Sequence, residues 1–300
     1  MPTVSVIIPT YNSARYVTAA IESVLAQTSQ GFEILVIDDG STDETEQLMR
    51  KYQAPVRYLR QANGGVSVAR NHGIAESRGH YVAFLDADDT WFPHKLERQL
   101  TAMKKHPEMR VSCTAFTVVD NDLTPIGMQH NQLPKITLDD LLTSGNVVGS
   151  ICTVIGERAL FTASGGFDPS FSQCADWDMW VRLAAQTDFL YLDESLVTYR
   201  QHNNNMSRNA PLLEHDSVRV LEKGFAMAGL SDSLRSRRRA ALARNNMVLG
   251  GTYFHAHQYF NFVRCASKAI AMDVRQLGYL VDFPARITAR MKAPHLPEAL

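Results

Sequence analysis

Tyr81-Val82-Ala83-Phe84-Leu85-Asp86-Ala87-Asp88-Asp89 decides how this chain is read. A short apolar run, of a length that suits a buried strand, stops abruptly in three acidic side chains separated by one small residue. Carboxylates crowded in this way repel one another unless a cation sits among them. Hard oxygen ligands favour Mg²⁺, Mn²⁺ or Ca²⁺ over zinc. A metal held at the end of a buried parallel strand is well placed to receive a diphosphate. An isolated Asp-x-Asp is better read as a polar turn; the surrounding sequence reverses that reading.

Upstream, two patterns alternate. Val4 to Pro9 reads as a buried strand, and residues 14–27 place Ala14, Val17, Ile21, Val24 and Leu25 at helical spacing. Glu33 to Ile37 is a second strand, followed by a helix start in which Ser41 or Thr42 can cap. Val56 to Leu59 is a third strand, Gly64-Gly65 leads into a helix through Ala75, and Tyr81 to Leu85 is the fourth strand. Pro93 opens a further helix to Lys105. This rhythm predicts a mostly parallel sheet with right-handed crossovers. Ligands of such sheets bind outside the carboxyl ends of the strands. Here those ends read Thr10-Tyr11-Asn12, Asp38-Asp39-Gly40-Ser41, Asn63-Gly64-Gly65 and Asp86-Ala87-Asp88-Asp89. One polar strand end is a loop; four on one edge of one sheet are a site.

Past residue 110 the pattern is mixed. Val111 to Val119, Ser150 to Ile155 and Phe189 to Thr198 read as strands, with a loop between Asn121 and Pro134. A Gly165-Gly166-Phe167-Asp168 turn precedes a helix from Asp176-Trp177-Asp178 to Ala185. Helices follow near 212–228, 232–249, 253–272 and 274–290. The division expected is a domain over residues 1–210 and a helical region over 211–300.

Bulk composition is that of an ordinary globular protein, 45% apolar and 20% charged. No stretch approaches the roughly 18 to 20 apolar residues that span a bilayer. Met1-Pro2-Thr3 runs straight into a strand pattern, so no secretory signal is expected. Cys113, Cys152, Cys174 and Cys265 are too scattered for a zinc site or a disulfide scaffold, which suits a reducing cytoplasm. Residues 200–300 carry 15 Lys+Arg against 7 Asp+Glu, a balance of +8 that leaves −9 on the remainder. A basic tail suits an anionic membrane or partner, and equally suits packing on an acidic body. His255 and His257 cannot share a helix face and are assigned no metal.

In order and spacing, these motifs resemble the family 2 glycosyltransferases of the GT-A fold over residues 3–205. The resemblance rests on Ser5 to Asn12, Val36 to Asp43, Asn63-Gly64-Gly65 with Ala69-Arg70-Asn71, and Phe84 to Asp89. Gly165 to Asp168, Asp176-Trp177-Asp178 and Tyr199-Arg200-x-His202 complete it. It implies an α/β fold with a C-terminal helical appendage. It also implies metal-dependent, inverting transfer of one sugar from a UDP-sugar, or another nucleotide sugar, to an acceptor hydroxyl. Cell-surface polysaccharide or glycolipid synthesis is the expected setting, with a glycan or lipid-linked acceptor and no nucleic acid partner. The location implied is cytoplasmic, with peripheral contact at the inner face of the membrane as a further option. The Gln-x-x-Arg-Trp signature of processive synthases is absent, which favours single transfer.

The residue roles follow from the same resemblance. Tyr11 can stack on a base, Pro9 and Thr10 offer carbonyls at the same edge, and Asp39 accepts from the base edge; Asp38 does this instead, or only caps the turn around Gly40. Gly64 and Gly65 let backbone approach the ligand, with a helix N-terminus behind them. Arg70 is a contact to base or phosphate, or else pairs with a nearby Asp. Asp86, with Ala87 beside it, reaches the ribose or a metal-bound water. Asp88 is the direct Mn²⁺ or Mg²⁺ ligand, with His202 as a further metal or phosphate contact. Asp89 either caps a helix or supports its neighbours. Asp176 is the base that takes the acceptor proton. Ala175 stands where an acidic residue commonly precedes that base.

Two other readings compete. Asp86-x-Asp88-x-Thr90 also fits a haloacid-dehalogenase phosphohydrolase with Asp86 as nucleophile, although that motif belongs on a first strand and this one ends the fourth. A sugar-nucleotide-binding module without catalysis would account for Ala175. A basic cluster at Arg235, Arg237, Arg238 and Arg239 is either a lipid-facing surface or a solvated helix face.

Overall fold

A computed structural model describes residues 1–131, 133–202 and 209–281. The apolar runs become β1 (Val4–Thr10), β2 (Phe32–Asp38), β3 (Val56–Arg60) and β4 (Tyr81–Phe84). The periodic stretches between them become α1 (Val17–Leu25), α2 (Thr45–Met49) and α3 (Val66–Glu76). β5 (Thr90–Trp91), α4 (Lys95–Lys105), β6 (Val111–Val119), β7 (Pro125–Gln129), β8 (Lys135–Ile136) and α5 (Leu138–Thr143) follow. Then come β9 (Ile155–Glu157), α6 (Arg158–Ala163), α7 (Ala175–Ala184) and β10 (Phe189–Arg200). The chain continues through α8 (Ala210–Phe225), α9 (Asp232–Ser236), α10 (Arg238–His255), α11 (Tyr259–Met272) and α12 (Leu277–Val281).

Two compact units result. Among the described residues, the first comprises 1–136, 148–169 and 183–201; the second comprises 137–147, 170–182, His202 and 209–281. The first unit holds one mixed sheet in the order β3-β2-β1-β4-β9-β6-β10-β5, with β7 on β6 and β8 on β10. β3, β2, β1 and β4 are parallel, as their βα rhythm demands, and so are β6 and β10. β9 runs antiparallel between β4 and β6. β1 is buried at every position, and α3 lies close enough that a Cβ on Gly73 would sit 2.4 Å from Ile7 Cγ2. The result is a GT-A-type α/β fold, a central sheet flanked by helices with a helical C-terminal region.

Several expected boundaries move. Ser150 to Ile155 is not one strand: Ile151–Thr153 forms a 3₁₀ turn capped by Ser150, and the strand begins at Ile155. The loop between Asn121 and Pro134 contains β7. Neither Ser41 nor Thr42 caps a helix, because the Ser41 hydroxyl accepts the N–H of Asn12 and α2 starts later, at Thr45. The helix expected over 232–249 breaks at Arg237 into α9 and α10, and α10 runs on to His255. The segment expected over 274–290 is a 3₁₀ turn at Val274–Gln276 followed by α12; its remainder lies outside the described residues.

In the second unit α5 carries a capping box between Thr137 and Asp140. Gly224 of α8 lies so close to α5 that a Cβ there would meet Leu142 Cδ2 at 2.5 Å. Met247, Ala266 and Ala269 form a small core between α10 and α11, flanked by Phe262, Ile270, Tyr279 and Leu280. The basic cluster is exposed, but three of its members bond to the protein's own groups: Arg237 pairs with Asp139, Arg239 donates to the carbonyls of Met272 and Ala271, and Arg235 donates to those of Leu230 and Met227. No described helix is long and apolar enough to cross a membrane.

Candidate active site

The carboxyl ends of β1, β2 and β3 finish level because their parallel register pairs Thr10 with Asp38 and Asp38 with Arg60. Asp39 N donates to Thr10 O at 2.8 Å and Gln61 N to Asp38 O at 2.9 Å, which carries the ladder one step past the strands. Pro9 and Thr10 are buried, whereas Tyr11 is 51% exposed. Asp38 is buried. Its Oδ1 accepts the N–H of Ser41 at 2.7 Å and its Oδ2 accepts the Tyr58 hydroxyl, so it braces the turn at Gly40, where φ is 84°. Burial and that carboxylate together push the Tyr58 hydroxyl well above the ordinary tyrosine range.

Asp39 reaches across to the next loop. Its Oδ1 accepts from Gln61 Nε2 at 2.7 Å and Gly64 N at 2.9 Å, and its Oδ2 accepts from Gly65 N at 2.7 Å. Gly65 is the residue before α3 and has φ 88° and ψ 163°, a region essentially closed to residues with a Cβ. Within the first turns of α3, Ser67 Oγ and Arg70 Nε are buried and have no protein partner; Thr10 Oγ1 at the end of β1 shares this state. Buried polar atoms left unpaired cost about 1–3 kcal/mol each.

Arg70 is itself buried and donates to Asp86 Oδ1 at 2.7 Å, with its guanidinium over the Phe167 ring. The ion-pair reading of Arg70 is therefore realised. Asp86 remains one-third exposed, and Ala87 beside it is buried. Asp89 does not cap α4. It is buried, accepting the backbone N–H of Arg200 at 2.8 Å and the Cys152 thiol at 3.1 Å. Arg200 Nε meanwhile donates to the carbonyl of Asp88 at 2.9 Å. Burial, then the charges of Asp88 and Asp86, push the Asp89 carboxyl well above the usual range. The Cys152 thiol rises for the same reasons, burial first and then Asp86 and Asp89, so it serves as a donor to Asp89.

Ligand atoms of Asp86, Asp89 and Cys152 all lie within 4.8 Å of one another. This crowding of carboxylates fits a hard divalent cation held through oxygen, with the protonated thiol as support. His202, two residues past β10, is half-buried.

The second unit carries Asp176. Its Oδ1 accepts the N–H of Trp177 at 2.7 Å and its Oδ2 accepts Asn146 Nδ2 at 3.2 Å. Asp178, about 200° further round the helix, has a different job. It is buried and pairs with Arg182 and Lys223, each at 2.7 Å, tying α7 to α8. Trp177 and Trp180 are both buried, and Trp177 Nε1 donates to Leu141 O at 3.0 Å, so both pack in the protein interior. Sequence reasoning missed Cys152 and Asn146, which stand in no motif and meet their aspartates only through the fold. Arg200 was visible beside His202 but had no assigned task.

Residues 5–162 match the family described as glycosyl transferase family 2. An uncharacterized glycosyltransferase of Rickettsia typhi is 32% identical over 232 residues, covering 75% of this chain and 71% of the relative. The putative teichuronic acid biosynthesis glycosyltransferase TuaG of Bacillus subtilis is 33% identical over 215 residues, covering 69% and 82% respectively. Among solved structures, residues 1–349 of S. aureus TarS in complex with UDP-GlcNAc superpose with a TM-score of 0.62 at 19% identity, covering 89% of this chain and 91% of that one. The fold, the motif order and these matches together mean that the chain belongs to glycosyl transferase family 2 and is a glycosyltransferase.

Proposed function

We propose that the protein transfers a single sugar from a UDP-sugar to an acceptor hydroxyl with inversion, in the synthesis of a cell-surface polysaccharide or glycolipid. One observation carries the reading. The acids that end β4 are crowded together, with ligand atoms of Asp86 and the buried Asp89 within 4.8 Å of one another, at the strand edge where parallel sheets bind ligands. A negative cluster of this kind suits a cation and, through it, a diphosphate. Bound Mn²⁺ or Mg²⁺ would be held by Asp88, with His202 adding a further contact and Asp86 reaching the ribose or a metal-bound water, and would supply Lewis-acid neutralisation of the departing UDP. TarS carries UDP-GlcNAc on the same fold, and TuaG is named for teichuronic acid biosynthesis, which supports the donor class and the setting.

The remaining roles belong to the chain's own groups. Tyr11 stacks on the uracil, Asp39 accepts from its N–H, and Pro9 and Thr10 line the same edge. Gly65 and the N-terminus of α3 approach the phosphates, and Arg70 leaves Asp86 to meet them. Asp176 accepts the proton of the acceptor hydroxyl as it attacks the face opposite the leaving group. The acceptor is a glycan or a lipid-linked glycan. A peripheral position on the inner membrane face is read from the basic C-terminal half; since Arg235, Arg237 and Arg239 are engaged internally, weak co-sedimentation with anionic liposomes at low salt is its test.

Incubating the protein with Mn²⁺ and a panel of UDP-sugars, with mass-spectrometric detection, tests the whole reading. UDP release is expected from one donor, lost on chelation and reduced about 100-fold or more in Asp176→Asn. Undiminished transfer by Asp88→Ala would remove the metal assignment. Tight binding of a UDP-sugar with neither transfer nor hydrolysis would favour the binding-module reading that Ala175 invites.

A further inference from the structure

Asp176 is held by a residue that no motif announces. An ionised carboxylate only accepts hydrogen bonds, so the group that Asn146 turns toward it must be the amide NH₂. Asn146 is 7% exposed and sits at the centre of a tight turn, in which Val147 N donates to Gly145 O at 2.8 Å. The turn follows α5, whose start is locked by the reciprocal bonds between Thr137 and Asp140. The bond from Trp177 Nε1 to Leu141 O fastens α5 to α7 one residue away from Asp176. The other end of the amide, Oδ1, is buried without a protein partner. A buried amide that leaves its oxygen unpaired while its nitrogen serves a carboxylate is not there to fill space. Residue 175, meanwhile, contributes only a buried methyl beside that carboxylate.

We propose that Asn146 is the positioning residue of the catalytic base, its N–H fixing the rotamer of the Asp176 carboxylate. This rests on the reading of Asp176 as the base. An acidic neighbour would set a like charge beside the base; an amide donor adds no competing charge. The carboxylate is then gripped at both oxygens, by Trp177 N and by Asn146 Nδ2, and points in one direction when the acceptor hydroxyl arrives.

The proposal makes an ordering prediction that packing alone does not. Asn146→Asp keeps the shape and replaces the donor with a like charge, whereas Asn146→Ala removes the donor and leaves space. If Asn146 only filled volume, Asp would be the milder change. As a donor to Asp176, Asp is the worse one.

The experiment compares the full-length wild type with Asn146→Ala, Asn146→Asp, Asp176→Asn and the Asn146→Ala/Asp176→Asn double variant. The substrate is whichever UDP-sugar the donor panel turns over, and a crystal structure of Asn146→Ala accompanies the kinetics. Expected are a kcat about tenfold lower for Ala and about 100-fold lower for Asp, with donor KM unchanged within about twofold and a double variant no slower than Asp176→Asn alone. In the crystal, the Asp176 carboxylate should leave its present rotamer. Asn146→Asp turning over as fast as Asn146→Ala, or an Asp176 side chain unmoved in the Ala variant, would overturn the proposal. If Asp176→Asn keeps full activity, or no donor is turned over, the base reading falls instead, and the rotamer in the crystal still decides whether Asn146 positions that side chain. Should Asn146→Ala not fold, the near-isosteric Asn146→Asp supplies both the kinetics and the crystal.

Discussion

Asp39 shows how much one carboxylate can do. Its two oxygens collect three N–H donors, two of them backbone amides of the loop that starts α3. Removing it breaks three part-buried bonds to a carboxylate, so Asp39→Ala should lower stability by about 2 kcal/mol and weaken UDP binding together, read by urea unfolding and calorimetry. An unchanged unfolding midpoint would mean that the loop holds itself. The sequence presented Asp39 as a contact for a base; it could not present the loop bonds, because their partners lie some 25 residues further on. Arg70 is similar. Both of its readings were available from its place on a predicted helix, and only the fold shows the ion pair to Asp86. Cys152 was beyond reach altogether, since a solitary cysteine carries no pattern and its meeting with Asp89 spans 63 positions.

At the scale of elements, two glycines of one stretch separate backbone strain from packing. Gly65, before α3, has φ 88° and nothing within 4 Å of where a Cβ would stand. Gly65→Ala should therefore cost about 1–3 kcal/mol through the backbone alone, and should disturb the amides that Asp39 holds. Gly73 lies inside α3, where alanine is intrinsically favoured over glycine by about 1 kcal/mol. A Cβ there would strike Ile7, which is buried in β1. Gly73→Ala should nonetheless destabilise, by about 1–3 kcal/mol, and a rise in melting temperature would contradict the packing described here. The elements that the sequence showed clearly, β1 to β4 with α1 and α3, are those long enough to repeat a period. β5, β8 and β9 have two or three residues each and exist only as antiparallel partners of longer strands. The break between α9 and α10 at Arg237 was hidden because the basic cluster keeps a helical composition across it.

Across the whole molecule, a net charge near zero leaves its response to pH to particular buried groups. Lys95 is the strongest case. It is fully buried in the first unit, donates to Gln99 Oε1 at 2.7 Å and lies 4.0 Å from the centre of the Trp91 ring. Burial lowers its pKa to about 7. An unfolded chain keeps that proton up to about pH 10.4. Between these values the unfolded state binds a proton that the native state lacks, so this group makes stability rise with pH; below about pH 7 both states are charged and the native state bears the full desolvation cost. The buried thiols of Cys113 and Cys152 act oppositely, because burial raises them and the unfolded chain ionises first. That opposition begins near pH 8.5, the ordinary thiol value, and the raised carboxyl of Asp89 titrates alike in wild type and variant, so the difference between the two proteins from about pH 6 to about pH 8.5 isolates the lysine. Lys95→Met keeps the length and deletes the charge. The stability of Lys95→Met relative to wild type should fall by about 2 kcal/mol across that interval, whatever its starting sign, because only the wild type sheds the cost as pH rises. Urea titrations of both proteins at the two pH values read this directly. Parallel pH profiles would show that Lys95 keeps its proton in the native core, with the Trp91 face and Gln99 offsetting its burial.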